Sequence, residues 1–221
     1  MKVIQPEGAR GSLKWIQKAV NTHTAVLDAP ILKKIRAKRI EWRSPLICES
    51  YAEYRDEQFL GQLGLSHLSR PLRDFWPERG PQWDALARSD AEDVLLVEAK
   101  SHVGELCSPG SAATGESRAK IEAALAETVG AVGATPRAPW INVFYQLANR
   151  IAHLNFLRAN GAKAWLVLVN FVGDDEMDSA PRSEAEWVAA YRVVHHVMGL
   201  GARHSLARYV IHLYPEIAEL G

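Results

Sequence analysis

The apolar positions of the chain fall into two kinds of pattern. Val94-Leu95-Leu96-Val97 is an unbroken aliphatic run, the mark of a buried strand, and behind it Glu98, Lys100 and His102 occupy alternate positions. Alternate side chains of a strand share a face, so Glu98 and Lys100 point the same way. Residues 83–88, with small and apolar residues around Asp84, predict a preceding strand. Ser89-Asp90-Ala91-Glu92-Asp93 reads as the hairpin turn between them, which sets Asp84 beside Glu98. Residues 164–172 form the clearest buried strand, and 208–213 predict a last one. Apolar residues at helical spacing predict helices over 47–63, 117–130, 138–160 and 183–199. The order is helix, two or three strands, helices, strand, helix, strand. It predicts an α/β fold, a single domain with a central mixed β-sheet flanked by helices.

Composition narrows the class. A chain of 221 residues that is 48% hydrophobic can bury one good core. Trp76, Trp83 and Trp140 read as part of it. Cys48 and Cys107 lie on unrelated segments without metal-ligand spacing, as expected of reduced thiols in a cytoplasmic protein. No stretch approaches the roughly 18–20 apolar residues of a membrane span, and the first residues lack a signal-peptide core, so no membrane partner is expected.

Formal net charge is zero, which argues against strong non-specific binding to nucleic acid. The distribution is uneven: residues 1–43 hold ten Lys and Arg against three acids, densest between Lys33 and Arg39. This predicts a basic N-terminal extension packed on the domain. Lys33, Lys34 and Arg36 then either contact phosphates or merely keep soluble a peripheral helix anchored by Leu32, Ile35 and Ile40.

Candidate chemistry centres on the hairpin. Two carboxylates converging beside a lysine repel unless a cation lies between them, and a hard divalent ion with oxygen ligands is the usual solution. Without one, Glu98 and Lys100 are a same-face ion pair of small worth. Glu49, Glu53 and Glu57 recur every four residues and make one acidic stripe on the expected 47–63 helix. Gln146, Asn149, Arg150 and His153 make a polar stripe on the 138–160 helix.

Asp84, followed by Glu98-Ala99-Lys100 at the end of an aliphatic strand, resembles the PD-(D/E)xK nuclease superfamily, the restriction-endonuclease-like fold. Pro81 stands three residues before Asp84 rather than directly before it, and the motif covers about a tenth of the chain. The resemblance implies a metal-dependent nuclease that hydrolyses DNA phosphodiesters, RNA not being excluded. Its alternative is an inactive nuclease-like module that binds nucleic acid or protein. The resemblance further implies Mg²⁺, or Mn²⁺ in its place, held by Asp84, Glu98 and the Ala99 carbonyl, with Lys100 positioning water or stabilising developing charge. A helix glutamate would join them, Glu57 first and Glu53 second. Gln146 and Arg150 would face a base or a phosphate from the following helix. Homodimers are common among nucleases that cut both strands, but no dimer surface is legible.

Two patterns point elsewhere. Gly110 to Ser117 imitates a phosphate-binding loop, yet Glu116 stands where a lysine belongs, so 104–117 is expected to be a flexible connection over the site. His195 and His196 are adjacent on a helix and diverge, while His67, His204 and His212 are scattered, so no histidine zinc site is expected.

Overall fold

The computed structural model describes residues 1–221. Its centre is a five-stranded sheet in the order β2 (Ile40–Ser44), β4 (Ala85–Ser89), β5 (Val94–Lys100), β6 (Ala164–Asn170), β7 (Val210–Leu213). The first three strands are antiparallel, whereas β5, β6 and β7 run parallel. Parallel neighbours need long crossovers. These are supplied by α5 (Gly115–Val132) and α6 (Tyr145–Ala159) between β5 and β6, and by α7 (Glu184–Met198) between β6 and β7. Every residue of β5 is buried, as its aliphatic run predicts.

The predicted hairpin is present. Ala85 pairs with Val97 and Arg88 with Val94, so the register carries Asp84 opposite Glu98. The turn is closed by its own side chains: the Ser89 hydroxyl accepts from the Ala91 and Asp93 N–H groups and donates to Asp93 Oδ2 at 2.7 Å.

Each face of the sheet has its own core. Leu86, Leu96, Leu166 and Leu168 pack under α4 (Ser69–Phe75), α5, α6 and α7. Ala85, Leu95, Val97 and Val167 pack under α1 (Gly11–Asn21) and α2 (Ala25–Ile35). Residues 1–43 are therefore more than an extension resting on a finished domain: they supply a whole helical layer and most of an edge strand. Trp76, Trp83 and Trp140 are all core residues. No helix is long and apolar enough to cross a membrane.

The 47–63 segment departs from the expected helix. Ser50, Tyr51 and Asp56 take left-handed backbone angles (φ 54°, 51° and 53°), which end any helix running through them. Only α3 (Glu57–Gln62) is α-helical there; Glu53–Tyr54 is a short strand, β3, paired with β1 (Lys2–Val3). The apolar periodicity survives because Tyr54, Phe59, Leu60 and Leu63 reach one core from different elements, while Ile47 is left 65% exposed. The 138–160 helix likewise starts late, at Tyr145, behind a left-handed Phe144. Residues before it tie the chain to the end of α7, with Trp140 Nε1 donating to the Met198 carbonyl at 2.9 Å.

Candidate active site

The C-terminal end of β5 gathers the charges. Glu98 and Lys100 share the face of Leu96, toward α6, and the hairpin register brings Asp84 to the same side. Asp84 Oδ2 accepts the Ala99 N–H at 2.7 Å, which locks the aspartate to the strand. Glu53 arrives from another direction. Tyr54 forms a bridge with Trp83, so β3 lies against the residue preceding Asp84. Glu53 is buried and accepts from Gln5 Nε2 at 2.9 Å and from Gln82 Nε2 at 2.5 Å.

Two cations meet these acids. Lys100 Nζ donates to Glu98 Oε1 and, at 2.8 Å, to Gln146 Oε1. Arg150 is 3% exposed; its Nε donates to Glu98 Oε2 at 2.5 Å and its Nη2 to the Gln82 carbonyl at 2.7 Å. Its guanidinium also lies 4.7 Å from the Trp83 ring centroid. Arg150 thus joins the strand carrying Glu98 to the loop leading into Asp84.

The titration behaviour follows from these neighbours. Burial, and then the charges of Glu98 and Glu53, push Asp84 well above the ordinary carboxylate range against the pull of Lys100 and Arg150. Burial pushes Glu53 up to about 7, with the Glu98 charge adding to it and the Gln82 and Gln5 hydrogen bonds opposing it. Burial acts the same way on Glu98, but Arg150 and Lys100 together outweigh it and hold that carboxyl below its usual value. One acid is compensated and two are crowded.

That crowding is the condition a divalent cation relieves, and the oxygen donors are of the hard type Mg²⁺ prefers. Asp84 Oδ1 and Glu53 Oε1 make no hydrogen bond, whereas both Glu98 oxygens are engaged. As the side chains stand, no three His, Cys, Asp or Glu groups are set to share an ion. The donors are of the hard oxygen type, but both Glu98 oxygens are held by Lys100 and Arg150.

Other expected residues lie elsewhere. Glu57 is exposed at the start of α3 and pairs with Arg73 at 2.7 Å, so Glu53 is the glutamate that joins the cluster. Lys33, Lys34 and Arg36 are exposed at the C-terminal end of α2. The chain after them is fastened to the hairpin turn, where Asp90 Oδ1 accepts from the Lys38 and Arg39 N–H groups. That is the other pole of the sheet, roughly 13 Å of strand from Glu98. Arg150 and Gln146 do reach the cluster, Arg150 as a buried partner of Glu98 rather than a free phosphate ligand. Gln82 and Gln5 carry no sequence signal for the site; their role comes from contact with Glu53.

The 104–117 connection lies against the start of α6. Ser108 Oγ accepts the Gln146 N–H at 2.9 Å, and Ser111 N–H donates to the Ile141 carbonyl at 2.8 Å. The histidines are less scattered than their spacing implies. His195, His204 and His212 line one cavity of about 270 Å³ between α6, β6, β7 and the 200–207 loop.

No family model, no curated protein and no solved structure matches this chain. The arrangement of its own residues is what bears on function.

Proposed function

We propose that the chain is a restriction-endonuclease-like, metal-dependent nuclease that hydrolyses DNA phosphodiester bonds. One observation carries the reading: Asp84, Glu98, Lys100 and Glu53, from three segments of chain, meet at one end of the sheet with two of the carboxylates crowded. Crowded buried acids cost stability unless partners offset them, and phosphoryl chemistry is one use for such a cluster. The alternating strand pattern, the mixed sheet and the helix after the Glu98 strand are what the resemblance calls for. Exposed free thiols at Cys48 and Cys107 suit a reducing cytoplasm.

Asp84, Glu98, Glu53 and the Ala99 carbonyl would hold Mg²⁺ or Mn²⁺. When bound, the ion lowers the pKa of water and neutralises charge on the phosphate. The chain's own residues do the rest. Lys100, aimed by Glu98 and Gln146, donates toward a phosphate oxygen as negative charge grows there. Gln146 fixes the ammonium and offers its amide to water. Attack by the water oxygen forms the new P–O bond, the bond to the leaving oxygen breaks, and that oxygen takes a proton. Arg150 keeps Glu98 ionised and holds the loop before Asp84.

A second reading has its own observation. Both Glu98 oxygens are taken by fixed cations, which favours an inactive nuclease-like module that binds nucleic acid or protein. Cleavage of linear duplex, supercoiled plasmid, single strand, branched DNA and RNA, with Mg²⁺, Mn²⁺ or chelator, separates the two. Metal-dependent cutting lost in Lys100→Ala and Asp84→Ala is the expected result, with a fall of about 10²–10³-fold for the lysine. No cutting of any substrate, and no calorimetric metal binding, would transfer the assignment to the inactive module.

A further inference from the structure

The segments that bring Glu53 and Asp84 to the cluster, and the helix that brings Arg150, each continue within about four residues into the wall of one cavity. Glu53 leads to Asp56, Arg79 and Gly80 lead to Gln82 and Asp84, and Asn149 lies one helical turn before His153. The cavity measures about 450 Å³. Leu72, Trp76 and the His153 ring are its buried floor; Gln58, Glu78 and Arg79 are exposed at its rim.

The backbone around it is held in an unusual shape. Asp56 (φ 53°, ψ −149°) and Arg79 (φ 64°) both adopt angles that non-glycine residues rarely take, and both line the cavity. They belong to two loops tied together by Gly80 N–H donating to Asp56 Oδ1 at 2.8 Å. A β-carbon on Gly80 would stand 3.2 Å from Trp76 Cδ1, so glycine lets this backbone press against the indole.

The charges nearly cancel. Asp56, Glu57 and Glu78 stand against Arg73, Arg79 and the Met1 ammonium, with Glu57 and Arg73 directly paired. A neutral polar rim over this floor suits a flat, uncharged group with hydrogen-bonding edges better than a phosphate. A duplex is too broad for such a cavity, but a single base is not.

We infer that this cavity receives one unpaired nucleobase of the strand being cut, so that the substrate carries an unpaired nucleotide beside the scissile bond. The inference rests on the nuclease reading, because it takes the phosphate to lie at Asp84 and Glu98. The test is fluorescence anisotropy in chelator, comparing a short labelled single strand with the blunt duplex of the same sequence. The single strand is expected to bind about tenfold tighter, the equivalent of one stacked base. Gln58→Trp, which fills the mouth from an exposed helix position, is expected to remove that margin without changing duplex binding or melting temperature. Arg79→Ala is expected to reduce the margin partway. Equal affinities, or a margin that survives Gln58→Trp, would overturn the assignment of the cavity. A margin lost in Gln58→Trp, with no cleavage of either substrate in Mg²⁺ or Mn²⁺, keeps the base site and overturns the nuclease. Binding of neither substrate, together with no cleavage in Mg²⁺ or Mn²⁺, overturns both.

Discussion

Two aspartates flank the same hairpin, and their surroundings could hardly differ more. Asp93, at the turn, is buried among neutral donors: the Ser89 hydroxyl at 2.7 Å and Trp165 Nε1 at 2.9 Å. Asp84, at the far end, is answered by one backbone N–H and otherwise faces Glu98, Glu53, Lys100 and Arg150. A carboxylate kept for structure is surrounded by dipoles that its own turn supplies. Asp84 is surrounded by other charges instead, an arrangement that costs stability where a set of neutral donors would not.

Substitutions at the two poles sharpen that contrast. Glu98→Ala should have the largest effect, because it strands Arg150 in the core without a partner; a loss of about 3–5 kcal/mol in denaturant melts is expected. Asp93→Ala should cost about 1–3 kcal/mol by leaving Ser89 and Trp165 short of an acceptor, with turnover unchanged per folded molecule. Asp84→Asn keeps an acceptor for the Ala99 N–H while removing the repulsion. It should raise the unfolding free energy by about 1 kcal/mol while abolishing cleavage, and a lowered free energy would count against the contrast.

The pH dependence divides in the same way. Burial holds His153 at about 3 and His212 at about 4, below the ordinary 6.5. Both stay neutral in the fold and take up protons on unfolding. Their stabilisation is complete above about pH 6.5 and is lost as the pH falls toward those values. Glu53 has the opposite sign: its raised pKa contributes stability below the ordinary 4.5 that is lost as the pH rises through about 7. Melting temperatures of Glu53→Gln against pH should fall less steeply between about 4.5 and 7, the remaining decline coming from Asp84, and keep the acid limb, the smallest of these effects.

The part of the site carried by the hairpin was legible because it is local. Period-two alternation and a turn made of Ser, Asp and Glu set both faces and register, so Asp84 and Glu98 could be placed opposite each other from residue types alone. The strand at 164–170 and the helices at 115–132 and 184–198 were equally visible in their periodicity. Spacing by four reads as a helix, and Glu57 outranked Glu53 because it stands nearer the end of that helix expected to meet the sheet. What breaks that helix is the left-handed backbone of Ser50, Tyr51 and Asp56, none of them glycine, and residue type does not announce it. The pole occupied by Lys33, Lys34 and Arg36 is decided by how β2 joins β4, and the gathering of His195, His204 and His212 by the crossover of α7. Both are matters of topology, which local pattern does not carry.

The hairpin also fixes an order of events as the chain folds. Asp84 and Glu98 are brought together across one tight turn, a closure that costs little chain entropy. Their compensating guanidinium on Arg150 lies 52 residues beyond Glu98, and Gln5 must return across 48 residues to reach Glu53. Lys100, two residues from Glu98, accompanies the acids from the start, but the guanidinium that completes their compensation arrives later, so the acids first face each other only partly compensated. A folding chain meets this repulsion as a barrier that screening lowers, so refolding in stopped-flow mixing should quicken with added salt in the native sequence and respond less in Asp84→Asn.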